Sequence, residues 1–141
     1  MQLEGRNLKK SIQSGEIAIG TILNIPSPAI IEILGYAGFD YVMIDTEHAP
    51  IGPLDTAVIE NLTRAANLAD ITPLVRVNKN DPGMVSKVLD AGAMGVVAPH
   101  VKTKEETIRL VKGAKYPPIG VRGAMTLSRA TRYGSRYDEG Y

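Results

Sequence analysis

Short apolar runs alternate along this chain with longer stretches in which apolar residues recur at every third or fourth position. The spacing predicts a short helix over Leu8–Gln13, stopped by Ser14-Gly15. Residues 16–24, EIAIGTILN, are rich in β-branched and apolar residues and predict a first strand, which Pro26 and Pro28 end. Residues 29–37 have helical spacing and stop at Gly38, the residue type that most easily closes a helix in a left-handed turn. Residues 41–44, YVMI, predict a second, buried strand. The clearest helix covers 55–68, with Leu54, Val58, Leu62, Ala65 and Ala66 on one face. A third strand follows at 72–77, TPLVRV. Asp81 caps the next helix, with Pro82 at its first position and Gly92 beyond its end at Leu89 or Ala91. Residues 95–99, GVVAP, predict a fourth strand. Thr103 and Glu106 then form a capping box for a helix running to about Ala114. From Lys115 onward no period is visible.

The pattern is β-α repeated four times. The phrase AGFDYVMID is echoed two units later by AGAMGVVAP, with Ala37-Gly38 matched by Ala91-Gly92. Strands apolar on both faces, alternating with helices, imply a parallel sheet covered by helices. A doubly wound open sheet and a (β/α)8 barrel both fit. A barrel needs roughly 250 residues, so only half of one is present. The chain reads as a single partial domain over residues 1–141: an N-terminal helix, four βα units, and a C-terminal loop and tail.

In both architectures chemistry gathers at the carboxyl ends of the strands. Polar residues follow that rule here: Asn24 after the first strand, Asp45, Glu47 and His48 after the second, Arg76 and Asn78 at the third, His100 at the fourth. Asp45 and His48 suit a carboxylate–imidazole pair in which the carboxylate fixes the ring and His48 acts as a general base; a histidine that caps a turn or faces solvent is the other reading. Glu47 fits a metal ligand, a partner of a ligand or a surface charge, although the Asp45-Glu47-His48 spacing matches no strong zinc pattern. Arg76 sits in an otherwise apolar strand, where arginine calls for an anionic partner. Its planar fork suits a substrate carboxylate or a developing enolate, or an ion pair with Asp45 or Glu47. His100 is a weaker candidate, read as a loop histidine. Arg122, in GVRG, has flanking glycines that admit a ligand to the backbone, so it is a candidate phosphate or carboxylate contact, or equally a plain loop arginine. That stretch lacks the lysine and Ser/Thr of a P-loop.

Composition narrows the partners. Apolar residues make up 44% and charged residues 22%, a globular rather than disordered balance. Sixteen basic residues face fifteen acidic ones, for a net charge of +1, which gives no electrostatic case for nucleic acid or an anionic membrane. The tail arginines Arg129, Arg132 and Arg136, interleaved with Tyr133 and Tyr137, are accordingly read as a solvated or subunit-contacting segment. There is no cysteine, which removes disulfides, thiolate nucleophiles and cysteine zinc sites together. No run approaches the ~20 apolar residues of a membrane span, and no signal-peptide core opens the chain, so the cytoplasm is the expected compartment.

Taken in order, AGFDYVMIDTEHAP, TPLVRV, LDAGAMGVVAPHVKTKEE, YPPIGVRGAM and SRATRYG resemble the HpcH/HpaI aldolase family, over nearly the whole chain. These are class II pyruvate aldolases of the 4-hydroxy-2-oxoheptanedioate aldolase type. The resemblance implies a (β/α)8 barrel and reversible cleavage of a 4-hydroxy-2-oxo acid into pyruvate, or a similar 2-oxo acid, and an aldehyde, through an enolate. It implies a divalent metal (magnesium, manganese or cobalt) and a homo-oligomer, a hexamer built from trimers. By position, His48 matches the family's acid–base histidine, Asp45 the aspartate that orients it, and Arg76 the arginine on the pyruvate oxygens. The family's metal-holding glutamate and aspartate belong to later strands, so the expectation is an N-terminal half without metal ligands of its own and inactive without its other half. A citrate-lyase-like enzyme is a variant of this reading. A non-catalytic half-barrel assembly or regulatory module is the alternative from another class.

Overall fold

The computed structural model describes residues 8–135. A short helix α1 (Leu8–Gln13) precedes four βα units: β1 (Gly20–Leu23) with α2 (Pro28–Tyr36), β2 (Tyr41–Asp45) with α3 (Thr56–Leu68), β3 (Thr72–Arg76) with α4 (Pro82–Asp90), and β4 (Gly95–Val97) with α5 (Lys104–Ala114). The strands form one parallel sheet in sequential order, β1-β2-β3-β4. Each crossover therefore steps one strand in the same direction. Right-handed connections then place every helix on the same face of the sheet. Consistent with that, α2 touches α3, α3 touches α4, and α4 touches α5. A doubly wound sheet reverses its order and covers both faces. A sequential sheet with helices on one side is the arc of a (β/α)8 barrel, and four units are half of it.

The core lies between the sheet and this helical layer. Alternate strand residues Val42 and Ile44 of β2 and Val75 of β3, with Val77 just beyond, have no solvent exposure and meet Ile31, Ile59, Leu62, Ala66 and Val88 from the helices. The other strand face forms levels set by register. Ile22, Met43, Leu74 and Gly95 share one level, and Asp45, Arg76 and Val97 the next. Gly95 leaves room on this face, since a Cβ there would sit 2.7 Å from a Leu74 methyl. Ile22 (49% exposed) and Val97 (36%) show that the face is only partly covered.

Three helices end in the same way. Phe39, Ile71 and Ala93 donate their N–H groups to the carbonyls of Leu34, Ala66 and Val88. The preceding residues Gly38, Asp70 and Gly92 have φ of 90°, 53° and 96°. This is the left-handed closure that turns a helix directly into the next strand, and it is the physical content of the AG-to-AG echo.

Some elements differ from expectation. β1 is shorter, because its partner β2 begins at Tyr41, level with Gly20. Ile19 is instead tied to Asp40, whose N–H it accepts and whose carboxylate takes its own N–H, both at 2.8 Å. β4 stops at Val97, level with the end of β3. On α3 the buried residues are Ile59, Leu62, Thr63, Ala65 and Ala66, so Leu62, Ala65 and Ala66 are buried as expected; Leu54, which precedes the helix, and Val58 are exposed. Residues 115–135 form largely exposed turns, Arg132 and Tyr133 among the exposed residues, that are tied to α3 and α4 at a few points. Arg129 donates to Thr63 Oγ1 (3.3 Å), which itself donates to the Ala91 carbonyl (2.8 Å), and Arg64 donates to Tyr133 Oη (3.1 Å). Arg136, Tyr137, Asp138 and Glu139 lie outside the described residues. No helix among the described residues is long and apolar enough to cross a membrane.

Candidate active site

Asp45 ends β2, Arg76 ends β3, and register sets them side by side on the face away from the helices. The pairing of carboxylate and guanidinium follows directly from that placement. Arg76 donates from Nε to Asp45 Oδ1 at 3.0 Å and from Nη2 to Oδ2 at 2.6 Å. Asp45 Oδ1 also accepts the main-chain N–H groups of Glu47 (2.9 Å) and His48 (3.2 Å). This Asx turn bends the chain off the strand end and holds Glu47 and His48 at the rim. Thr46 adds a second tie, donating both its N–H (3.0 Å) and its hydroxyl (2.7 Å) to the Arg76 carbonyl.

Asp45 has no solvent exposure. The hydrogen bonds from Arg76, then those from the two main-chain N–H groups, outweigh the desolvation that opposes them and lower its pKa from 3.8 to about 2. The same contacts raise the Arg76 pKa further above its already high value.

Glu47, 13% exposed, lies at the centre of the rim. Its Oε2 is 3.4 Å from Arg76 Nε and 3.6 Å from His48 Nε2, and its Oε1 is 3.6 Å from His100 Nε2. The two imidazole contacts are ion-pair distances, too long for hydrogen bonds. Both rings are open to solvent, at 68% and 78% exposure. His100 adopts a left-handed conformation, φ 57°, at the end of β4. Groups from the ends of β2, β3 and β4 thus converge on one carboxylate.

The structure places each of these residues in turn. Asp45 does not hold the His48 ring: its carboxylate is spent on Arg76 and the turn, and it meets His48 only through the main chain. The carboxylate beside the ring is Glu47. Arg76 has the structural ion pair with Asp45, yet that pair uses only the Nε/Nη2 edge. Nη1 has no protein partner among the described residues, and the side chain is 23% exposed. Arg122 is not at the rim. It is buried, bonds to Asp90 at the last turn of α4, and stacks 4.7 Å from the Tyr116 ring centroid. That is the pole where strands begin, and its role there is to fasten the segment after α5. His100, read as a loop histidine, is an exposed loop residue that also joins the cluster. Its place at a strand end was the only signal for this in the sequence.

The metal implied by the resemblance does not fit the residues present. Among the described residues no three His, Asp or Glu side chains are grouped to hold an ion. Asp45 and Glu47, the nearest carboxylates, already face Arg76. What the rim offers is a guanidinium with one free edge beside two imidazoles, a set suited to gripping a small carboxylate and moving a proton next to it.

The chain is similar to known proteins along most of its length. The chain is 38% identical over 134 residues to a pyruvate aldolase of Rhizobium etli, covering 95% of this chain and 52% of the relative. It is 35% identical over 135 residues to a hydroxypyruvate/pyruvate aldolase of Sagittula stellata, covering 96% and 52%. The solved structure of an HpcH/HpaI aldolase/citrate lyase family protein from Burkholderia cenocepacia superposes with a TM-score of 0.84 at 33% identity, over 93% of this chain and 52% of that one. The chain spans about half the length of the curated relatives it matches. With residues 19–132 matching the family as a whole, the chain belongs to the HpcH/HpaI aldolase/citrate lyase family.

Proposed function

We propose that these residues form one side of the active site of a class II aldolase, which cleaves a 4-hydroxy-2-oxo acid into pyruvate, or a similar 2-oxo acid, and an aldehyde. The observation that carries the proposal is the convergence of Arg76 and His48 on Glu47 at the carboxyl ends of adjacent strands. The open Nη edge of Arg76 grips oxygens of the 2-oxo acid and stabilises negative charge as it develops there. His48 takes the proton of the C4 hydroxyl. The C3–C4 bond breaks, its electron pair passes to the enolate of the 2-oxo acid, and the C4 oxygen becomes the aldehyde carbonyl. Protonation of the enolate at C3 completes pyruvate. The names of the relatives support the reaction class. A divalent metal belongs to this reading only with ligands from outside the described residues. A cytoplasmic, homo-oligomeric setting is part of the same proposal.

The test is pyruvate release from a 4-hydroxy-2-oxo acid, with magnesium, manganese or cobalt and the other half of the barrel supplied, by the wild-type sequence and its Arg76 variants. Arg76→Ala is expected to lower kcat/KM by about 10²–10³-fold, and Arg76→Lys to recover little, because a single ammonium cannot serve Asp45 and a substrate at once. Unchanged turnover in Arg76→Ala would overturn the proposal.

A further inference from the structure

Glu47 and His100 have no part in the reaction just described, yet both stand within its geometry. The Glu47 side chain is 13% exposed and faces charged or titratable groups from three strand ends: Asp45 and His48 on its own segment, Arg76 on β3, and His100 after β4. Its two oxygens are not equivalent. Arg76 and His48 approach Oε2, whereas His100 approaches Oε1. Arg76 and His48 thus share one oxygen of the carboxylate, and His100 approaches the other. His100 reaches that position through a left-handed backbone conformation that disfavours a non-glycine residue.

We propose that Glu47 is a positioning residue whose two oxygens hold His48 and His100 across one substrate, and that His100 contacts a polar group at the substrate end remote from Arg76. This rests on the aldolase reading. If Arg76 takes the 2-oxo acid end and His48 the C4 hydroxyl, a longer substrate extends past Oε2 toward Oε1. There it meets an exposed imidazole able to donate to a hydroxyl or carboxylate of the aldehyde fragment. The site would then select aldehydes bearing such a group over plain alkyl aldehydes of similar size.

Two measurements test this separately. The chain has two histidines, so its NMR spectrum carries two ring C2–H signals. Glu47→Gln is expected to move both signals while the backbone amide spectrum stays that of the wild type. Movement of one signal alone, or of neither, overturns the clamp. Glu47→Asp, which keeps the charge on a shorter stem, serves if the glutamine variant fails to fold.

The second measurement is condensation of pyruvate with a hydroxyl- or carboxylate-bearing aldehyde and with an alkyl aldehyde. His100→Ala is expected to raise KM for the polar aldehyde by about tenfold, the loss of one hydrogen bond, while KM for pyruvate and for the alkyl aldehyde stays put. Equal effects on both aldehydes, or none, overturn the role of His100. Absence of any aldol reaction when the other half of the barrel is supplied defeats the aldolase reading and the role of His100 with it. The ring signals still decide the clamp.

Discussion

Asp45 carries a full negative charge at a site without solvent exposure, and four donors make that possible: Arg76 Nε and Nη2 and the main-chain N–H groups of Glu47 and His48. Its pKa near 2 fixes the sign of a pH effect. A folded-state pKa below the unfolded value means stability that is fully present above about pH 4 and lost as pH falls through about 2. The shift corresponds to about 2 kcal/mol. Urea midpoints at neutral and strongly acid pH should show this loss in the wild type, and Asp45→Asn should lack that part of it. Identical acid profiles in the two proteins would mean the ion pair contributes nothing measurable. The residue scale is also where sequence reading was weakest. That Asp45, Glu47, His48 and Arg76 belong together was legible from their places at strand ends. Which carboxylate takes which partner was not, because the Asp45–Arg76 match depends on β2–β3 register, and register is a tertiary fact.

Helix and strand positions were largely legible because caps and glycines mark them locally. Pro82 behind Asp81, the Thr103–Glu106 box and the glycines at 38 and 92 act where the sequence puts them. Strand lengths were less legible, since a strand extends only as far as its neighbour does, as the shortened β1 and β4 show. Close helix packing was invisible beforehand. A Cβ on Gly35 of α2 would lie 2.5 Å from the Ala69 carbonyl oxygen and 2.6 Å from the Ala69 Cβ. Gly35→Ala therefore opposes two effects. Helix propensity alone would gain up to about 1 kcal/mol. Forcing α2 off the end of α3 costs about 1–3 kcal/mol, and packing should win. Thermal melting should show a lower Tm for Gly35→Ala; a rise would mean that the helices part freely.

Among the described residues β1 and β4 are the edges of the sheet, and the strand face opposite the helices is only partly covered. Such an edge invites pairing with another chain. Ile22 lies on β1, half-exposed on that face. Ile22→Lys should reduce concentration-dependent self-association in light scattering while shifting the urea midpoint little; unchanged association would place the contact elsewhere. The half-barrel itself was legible from the βα count together with its residues' likeness to a family. The ties between residues 115–135 and the helices α3 and α4 were not, because turns without period leave no signal.

The tie between Thr46 and the Arg76 carbonyl reaches further than local order. Main chain and side chain of Arg76 are anchored by consecutive residues of the neighbouring strand, so its torsions freeze when β2 and β3 zip together. A small anion arriving at the rim then meets an aimed fork instead of a searching one. Capture sacrifices little side-chain entropy and need not wait for a rotamer to come round.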